Sequence, residues 1–240
     1  MALRGQVSHN GIGWPTHLIG LLGPALAGLI VTAWCRGPAG LRDLFRRCTT
    51  VQSRSLWYLL AIPAAAVAAI AIAAVLGNPP PAWSEFGEFS GAPLLSFPVL
   101  FAYVFVVNGL GEEVGWRGYL VDELLPRHGV LTSAAITWTA WAGWHLPLFW
   151  VVDNFRSMSL PLIGGWLFAL AAGSIVLTAL YASFGRSVLF VALWHTAFNL
   201  TTGVTGAQGW IAALVSTMVM IFAIALVVRR GRVWLAPGNR

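Results

Sequence analysis

Leu94-Leu-Ser-Phe-Pro-Val-Leu-Phe-Ala-Tyr-Val-Phe-Val-Val-Asn-Gly-Leu110 is apolar almost throughout, and it runs directly into Gly-Glu112-Glu113-Val-Gly-Trp-Arg117. A stretch of this length and hydropathy reads as a helix able to cross the ~30 Å hydrocarbon core of a bilayer. The glutamates that extend it are out of keeping with that setting. A carboxylate at mid-membrane costs ~2.5–3.5 kcal/mol on insertion scales, and ionisable groups kept there generally serve function. The same stretch therefore indicates the fold and where to look for chemistry.

The rest of the chain has the same character. Of 240 residues, 58% are hydrophobic and 9% charged, with a mean hydropathy of +0.77. Soluble domains run near 25% charged, which excludes a soluble globular reading. Further apolar runs occur at His17–Trp34, Leu56–Leu76, Leu131–Trp150, Leu160–Ala182, Val188–Thr202 and Trp210–Val228. The expected fold is all-α, a polytopic transmembrane helical bundle of about seven spans. It forms one membrane domain over 1–240, with 95–205 as the core that carries the unusual polar residues.

The net charge is +6, and all 14 basic residues are Arg. Arg36, Arg42, Arg46, Arg47 and Arg54 fall between the first two runs, Arg127 and Arg186 in later loops of the same parity, and Arg229, Arg230, Arg232 and Arg240 after the last. By the positive-inside rule the N-terminus is outside and the C-terminus cytoplasmic, with the bacterial inner membrane as the setting. Nothing pairs these arginines with a base-stacking platform, so no nucleic-acid partner is expected. Gly40-Leu-Arg-Asp-Leu-Phe-Arg-Arg47 suits a short amphipathic helix in the inner interface, with Leu41, Leu44 and Phe45 opposed to the charges. Pro79 to Pro93 reads as an outer loop whose Trp83, Phe86 and Phe89 rest among headgroups. Cys35 and Cys48 read as inert thiols on the reducing side, and His9, His17 and His128 as end or loop residues.

Three more polar residues stand in apolar helices. They are His145 in Trp141-Ala-Gly-Trp-His145, and His195 with Asn199 in Trp194-His195-Thr-Ala-Phe-Asn199. His195 and Asn199 are spaced i, i+4 and share a face, as do Glu113 and Arg117. Glu112 lies about 100° round the helix from Glu113, so the two acids point apart. Glu113 can be neutralised by Arg117, which leaves Glu112 to face a cavity. Each residue alone has a structural use, a histidine on a carbonyl or an ion pair as a fastener. Glu-Glu-x-x-x-Arg, a buried His and His-x-x-x-Asn on three helices are harder to explain as fasteners, because such groups gather in a bundle interior.

Chemically the set suggests hydrolysis. A desolvated carboxylate takes a proton from water, a histidine beside it holds that water, and a histidine with an amide stabilises the oxyanion. Glu112, His145 and His195 would alternatively hold a divalent metal such as zinc, although helical His-Glu-x-x-His spacing is absent. Trp141 and Trp144 are placed to line the site. A small proton-coupled transporter and a non-catalytic immunity or scaffold protein are the competing classes, and the lack of an internal repeat counts against the first.

These motifs resemble the CPBP intramembrane protease family (the ABI domain), which includes type II C-a-a-X prenyl endopeptidases and bacteriocin-immunity-like relatives. The family pattern is met by Glu112-Glu113…Arg117, Trp141…His145 and His195…Asn199, with Trp141 where Phe is common. The resemblance implies about eight spans and a membrane-associated peptide or protein substrate, C-a-a-X-like in some members. It also implies that Glu112 is the base, assisted by His145, with His195 and Asn199 at the oxyanion or in a metal site. Glu113 and Arg117 would hold the first motif in shape.

Depth sets a problem. At 1.5 Å per residue, Glu112 and His195 come out at similar levels, but His145 lies about 10 Å higher if its helix enters at Leu131. Either that helix begins outside the bilayer or it breaks around Gly143 and Pro147.

Overall fold

A computed structural model describes residues 18–50, 56–78, 81–87, 89, 95–207 and 209–235. His9, His17, Arg54, Arg240 and the side chain of Trp83 lie outside the described part. Seven principal helices appear among the described residues: α1 Gly23–Thr49, α2 Leu56–Val75, α3 Phe97–Leu124, α4 Val130–His145, α5 Leu160–Ser183, α6 Val188–Gly203 and α7 Trp210–Trp234. Their positions follow the apolar runs closely. Extended pairing among the described residues is limited to one bridge between Phe89 and Val204. The protein is an all-α multi-pass membrane bundle, with residues such as Trp34, Val75 and Leu160 exposed by 84% or more on its outside.

Length and apolarity suffice for crossing in four stretches: Tyr58–Val75, Phe97–Leu124, Leu160–Ser183 and Trp210–Trp234. Helices α4 and α6 have 16 residues each, roughly 24 Å of helix, which is short of a ~30 Å core. Helix α4 stops at His145 instead of running on to Trp150. Leu146 and Pro147 form a turn before a short helix Leu148–Val151; both keep right-handed helical φ/ψ, but Pro147 has no N–H to donate to the Gly143 carbonyl, which accepts the Leu146 N–H at 3.1 Å instead. The regular helix ends between Gly143 and Pro147, but only after His145, so the height of that residue along α4 is unchanged.

Helix α1 continues past Trp34 through a kink at Gly37, where φ is +60° just ahead of Pro38. The expected amphipathic segment is its second half, but the faces differ from the sequence reading. Phe45 is 71% exposed, whereas Leu44 and Arg47 are buried. Arg47 turns inward because it has partners there. Its Nη1 donates to the Gly118 carbonyl at 3.0 Å, lies 3.2 Å from Asp122 Oδ1 and contacts the Tyr181 hydroxyl. Asp122 also receives Tyr181 at 3.0 Å, Arg186 at 3.2 Å and Arg36 at 3.3 Å. This clasp joins α1, α3 and α5 at one end of the bundle. Cys35 and Cys48 are free thiols, and burial pushes that of Cys48 up to about 11. The loop before α3 also departs from expectation. Phe89 is buried with Leu100, Val104 and Val204, and Phe86 packs against the same cluster, because an aromatic ring gains more from this apolar pocket than from headgroups.

Candidate active site

Helix α3 is irregular where its glutamates lie. Gly111–Gly115 is α-helical, but the turns on either side, Phe105–Leu110 and Trp116–Val121, are π-helical. Such turns are frequent at functional sites, since each wider turn re-aims side chains and frees a carbonyl. The carbonyl of Gly118, in the second, is the one held by Arg47. Two glycines let neighbouring helices approach. A Cβ on Gly115 would sit 2.1 Å from the Pro24 carbonyl oxygen of α1, and one on Gly109 would sit 2.5 Å from Thr196 Oγ1 of α6. Close packing through small residues is the usual means of bringing membrane helices together. Here it clamps the glutamate segment between α1 and α6.

The two glutamates then divide. Glu113, fully buried, receives Arg117 Nη1 at 2.8 Å and His195 Nδ1 at 2.8 Å, both on Oε1. Glu112, 4% exposed, points elsewhere and accepts the Trp141 indole N–H at 2.7 Å on Oε2. Its Oε1 makes no hydrogen bond among the described residues. Trp141 is the hub of the site. The Arg117 guanidinium lies 5.0 Å from its ring centroid, a cation–π distance. The imidazoles of His195 and His145 lie 5.6 Å and 5.9 Å from the same ring.

The remaining groups are arranged around this centre. His145 Nδ1 lies 2.7 Å from the Trp141 carbonyl oxygen, which can only accept, so this nitrogen carries the proton and Nε2 is left with a lone pair. His195 Nδ1 likewise donates to the Glu113 carboxylate, which leaves its Nε2 free. Asn199 is half-buried one turn beyond His195, and its carboxamide makes no hydrogen bond among the described residues. Trp144 packs edge-on against His145 at 4.9 Å, and Trp166 of α5 does so at 5.5 Å. Trp166, Phe149 and Phe155 then form a mutually T-shaped group beside that histidine.

Glu112, Glu113, Arg117 and His195 are thus joined directly or through Trp141, and His145 flanks the same ring. No hydrogen bond joins Glu112 to either histidine. As a metal site the set does not fit: among the described residues no three His, Cys, Asp or Glu side chains converge on a common point. Sequence reasoning placed Trp141 only in the lining. Its indole N–H on Glu112 went unread, as did the Asp122 clasp. A tryptophan four residues before the histidine was the available signal for the first.

The segment that carries these residues is similar to known proteins. Residues 94–201 match the model of a family described as Rce1-like, type II CAAX prenyl endopeptidase Rce1-like. The matched span contains all three motifs. A curated relative, CAAX prenyl protease 2 of Methanococcus maripaludis, is 24% identical over 204 residues, covering 80% of this chain and 73% of its own length.

Proposed function

We propose that this chain, an intramembrane endopeptidase of the CPBP family by its similarity to the type II CAAX prenyl endopeptidases, cleaves a membrane-associated substrate with water activated by Glu112. The observation that carries this reading is the hydrogen bond from Trp141 to Glu112 Oε2, which orients the carboxylate and leaves Oε1 to meet water. Glu112 Oε1 takes a proton as the water oxygen bonds to the scissile carbonyl carbon. His145 Nε2, with its lone pair outward, accepts the water's second hydrogen and aims its attack. The oxyanion that forms accepts from the Asn199 carboxamide N–H and from His195 Nε2. For Nε2 to donate while Nδ1 is held by the Glu113 carboxylate, His195 acts as the imidazolium. Collapse of the intermediate breaks the C–N bond and returns the proton from Glu112 to the leaving nitrogen, as general acid–base catalysis requires.

By analogy with the relatives, the substrate is a C-a-a-X-like C-terminal segment, and the aromatic group of Phe149, Phe155 and Trp166 offers its apolar side chains a wall. The setting we propose is a bacterial inner membrane with the C-terminus cytoplasmic, on the strength of the arginines after α7. The transporter alternative finds no support in the comparisons.

The test is cleavage of synthetic C-a-a-X peptides, prenylated and unprenylated, by purified protein in lipid. We expect cleavage, with the prenylated peptide favoured. Absence of cleavage of either, with the protein folded, contradicts the substrate class. No step here runs through a metal, so dialysis against a strong chelator should leave the rate unchanged. Loss of activity that returns with added zinc overturns that part.

A further inference from the structure

A cleft of about 230 Å³ runs between α5 and α7, and none of the motif residues lines it. Phe168, Ala171, Ala172 and Ile175 line one side, and Ala223 and Val228 are among the residues lining the other. The spacing i, i+3, i+4, i+7 puts the first four on one helical face, and seven residues of helix make the cleft roughly 10 Å long. Its floor is alanine and its rim is bulky, with Phe168 52% and Val228 79% exposed. Every lining residue is apolar. The shape suits a single flexible hydrocarbon chain.

Charge at one end of the cleft identifies what carries that chain. Helix α7 passes from Val228 directly into Arg229-Arg230-Gly231-Arg232, and all three arginines are exposed. None of them forms an ion pair among the described residues, whereas Arg36, Arg47 and Arg186 are committed to acids. Gly231 is three residues after Val228 and four after Val227, so it continues the face of α7 that lines the cleft. Arg230 and Arg232 flank it on the helix surface. A Cβ on Gly231 would lie 3.7 Å from Leu131 at the start of α4, so the exposed Arg127 of the preceding loop belongs to the same end. An apolar slot that opens among unpaired arginines matches a ligand with a hydrocarbon tail and an anionic head.

We propose that this cleft binds an anionic phospholipid, one acyl chain lying between α5 and α7 and the phosphate held by Arg230 and Arg232. Arginines that only anchor the end of α7 would show no dependence on the cleft. An apolar slot without the arginines would take zwitterionic lipid equally well.

The test is native mass spectrometry of the full chain in neutral detergent, titrated with phosphatidylglycerol or phosphatidylcholine of identical acyl chains. We expect phosphatidylglycerol to bind about thirtyfold tighter, the effect of two arginines beside an anionic headgroup. R230Q/R232Q should bring the two lipids level. Ala171→Phe, which fills the cleft from its half-exposed side, should weaken both lipids with the arginines intact. If that variant does not fold, Val228→Trp closes the exposed rim instead. Equal binding of the two lipids by the wild type overturns the proposal. So does a preference that survives R230Q/R232Q, or phosphatidylglycerol binding that is unchanged when the cleft is filled.

Discussion

Trp141 touches both halves of the glutamate pair, through its N–H on Glu112 and its face beneath Arg117. W141F keeps a ring and removes the donor. A hydrogen bond to a charged group contributes about 1.5–3 kcal/mol, so kcat/KM should fall roughly 10- to 100-fold while the amount of folded protein is unchanged. Arg117 behaves differently, since it and Glu113 are fully buried. R117M strands a carboxylate and should cost about 3–5 kcal/mol of stability, read as a drop in Tm, and E113M in the same chain should restore part of it. The Glu113–Arg117 pair was legible because i, i+4 spacing within one helix fixes a contact. The opposed directions of the two acids were legible from the 100° step. The partner of Glu112 was not, because it comes from α4, and which indole meets which carboxylate depends on how the helices pack.

At the scale of elements, the helices were readable from hydropathy and their irregularities were not. A π-helical turn changes the register by a fraction of a turn, too little to show in the hydropathy of a 28-residue helix. Both therefore stayed hidden in α3, as did the close approaches at Gly109 and Gly115. The end of the regular helix after His145 lies within the Gly143–Pro147 stretch where a break was one of the two expectations. Packing supplies a sharp expectation for the glycines. G115A puts a methyl group into the Pro24 carbonyl, backbone against helix, and should part α1 from α3 with loss of folded protein. G164A in α5 meets nothing within 4 Å and should be neutral or slightly stabilising. Thermal unfolding of the two variants side by side gives the comparison. Equal Tm values would remove the clamp as the device that positions the glutamates.

For the whole molecule, sequence reasoning used the arginines as topological markers. Several of them hold the bundle together as well. Arg36, Arg47 and Arg186 meet on Asp122, an acid that drew no attention because it lies just past the motif that did. D122N removes the charge that answers the buried Arg47 and one of the two acceptor oxygens of the clasp, and should lower stability by about 1–3 kcal/mol. The contact between Arg47 and the Gly118 carbonyl links this clasp to the active helix one residue beyond Arg117. A loss of cleavage in D122N that returns when Tm is restored by added lipid would mark the clasp as structural support for the site.

The central claim is that adjacent glutamates do different work, Glu112 chemistry and Glu113 architecture. Its most direct test compares E112Q with E113Q, each purified and assayed for Tm and for peptide cleavage at equal folded amounts. E112Q should keep a wild-type Tm and lose about 10²- to 10⁴-fold in kcat, while E113Q should lose stability first. Wild-type cleavage by folded E112Q would contradict the account.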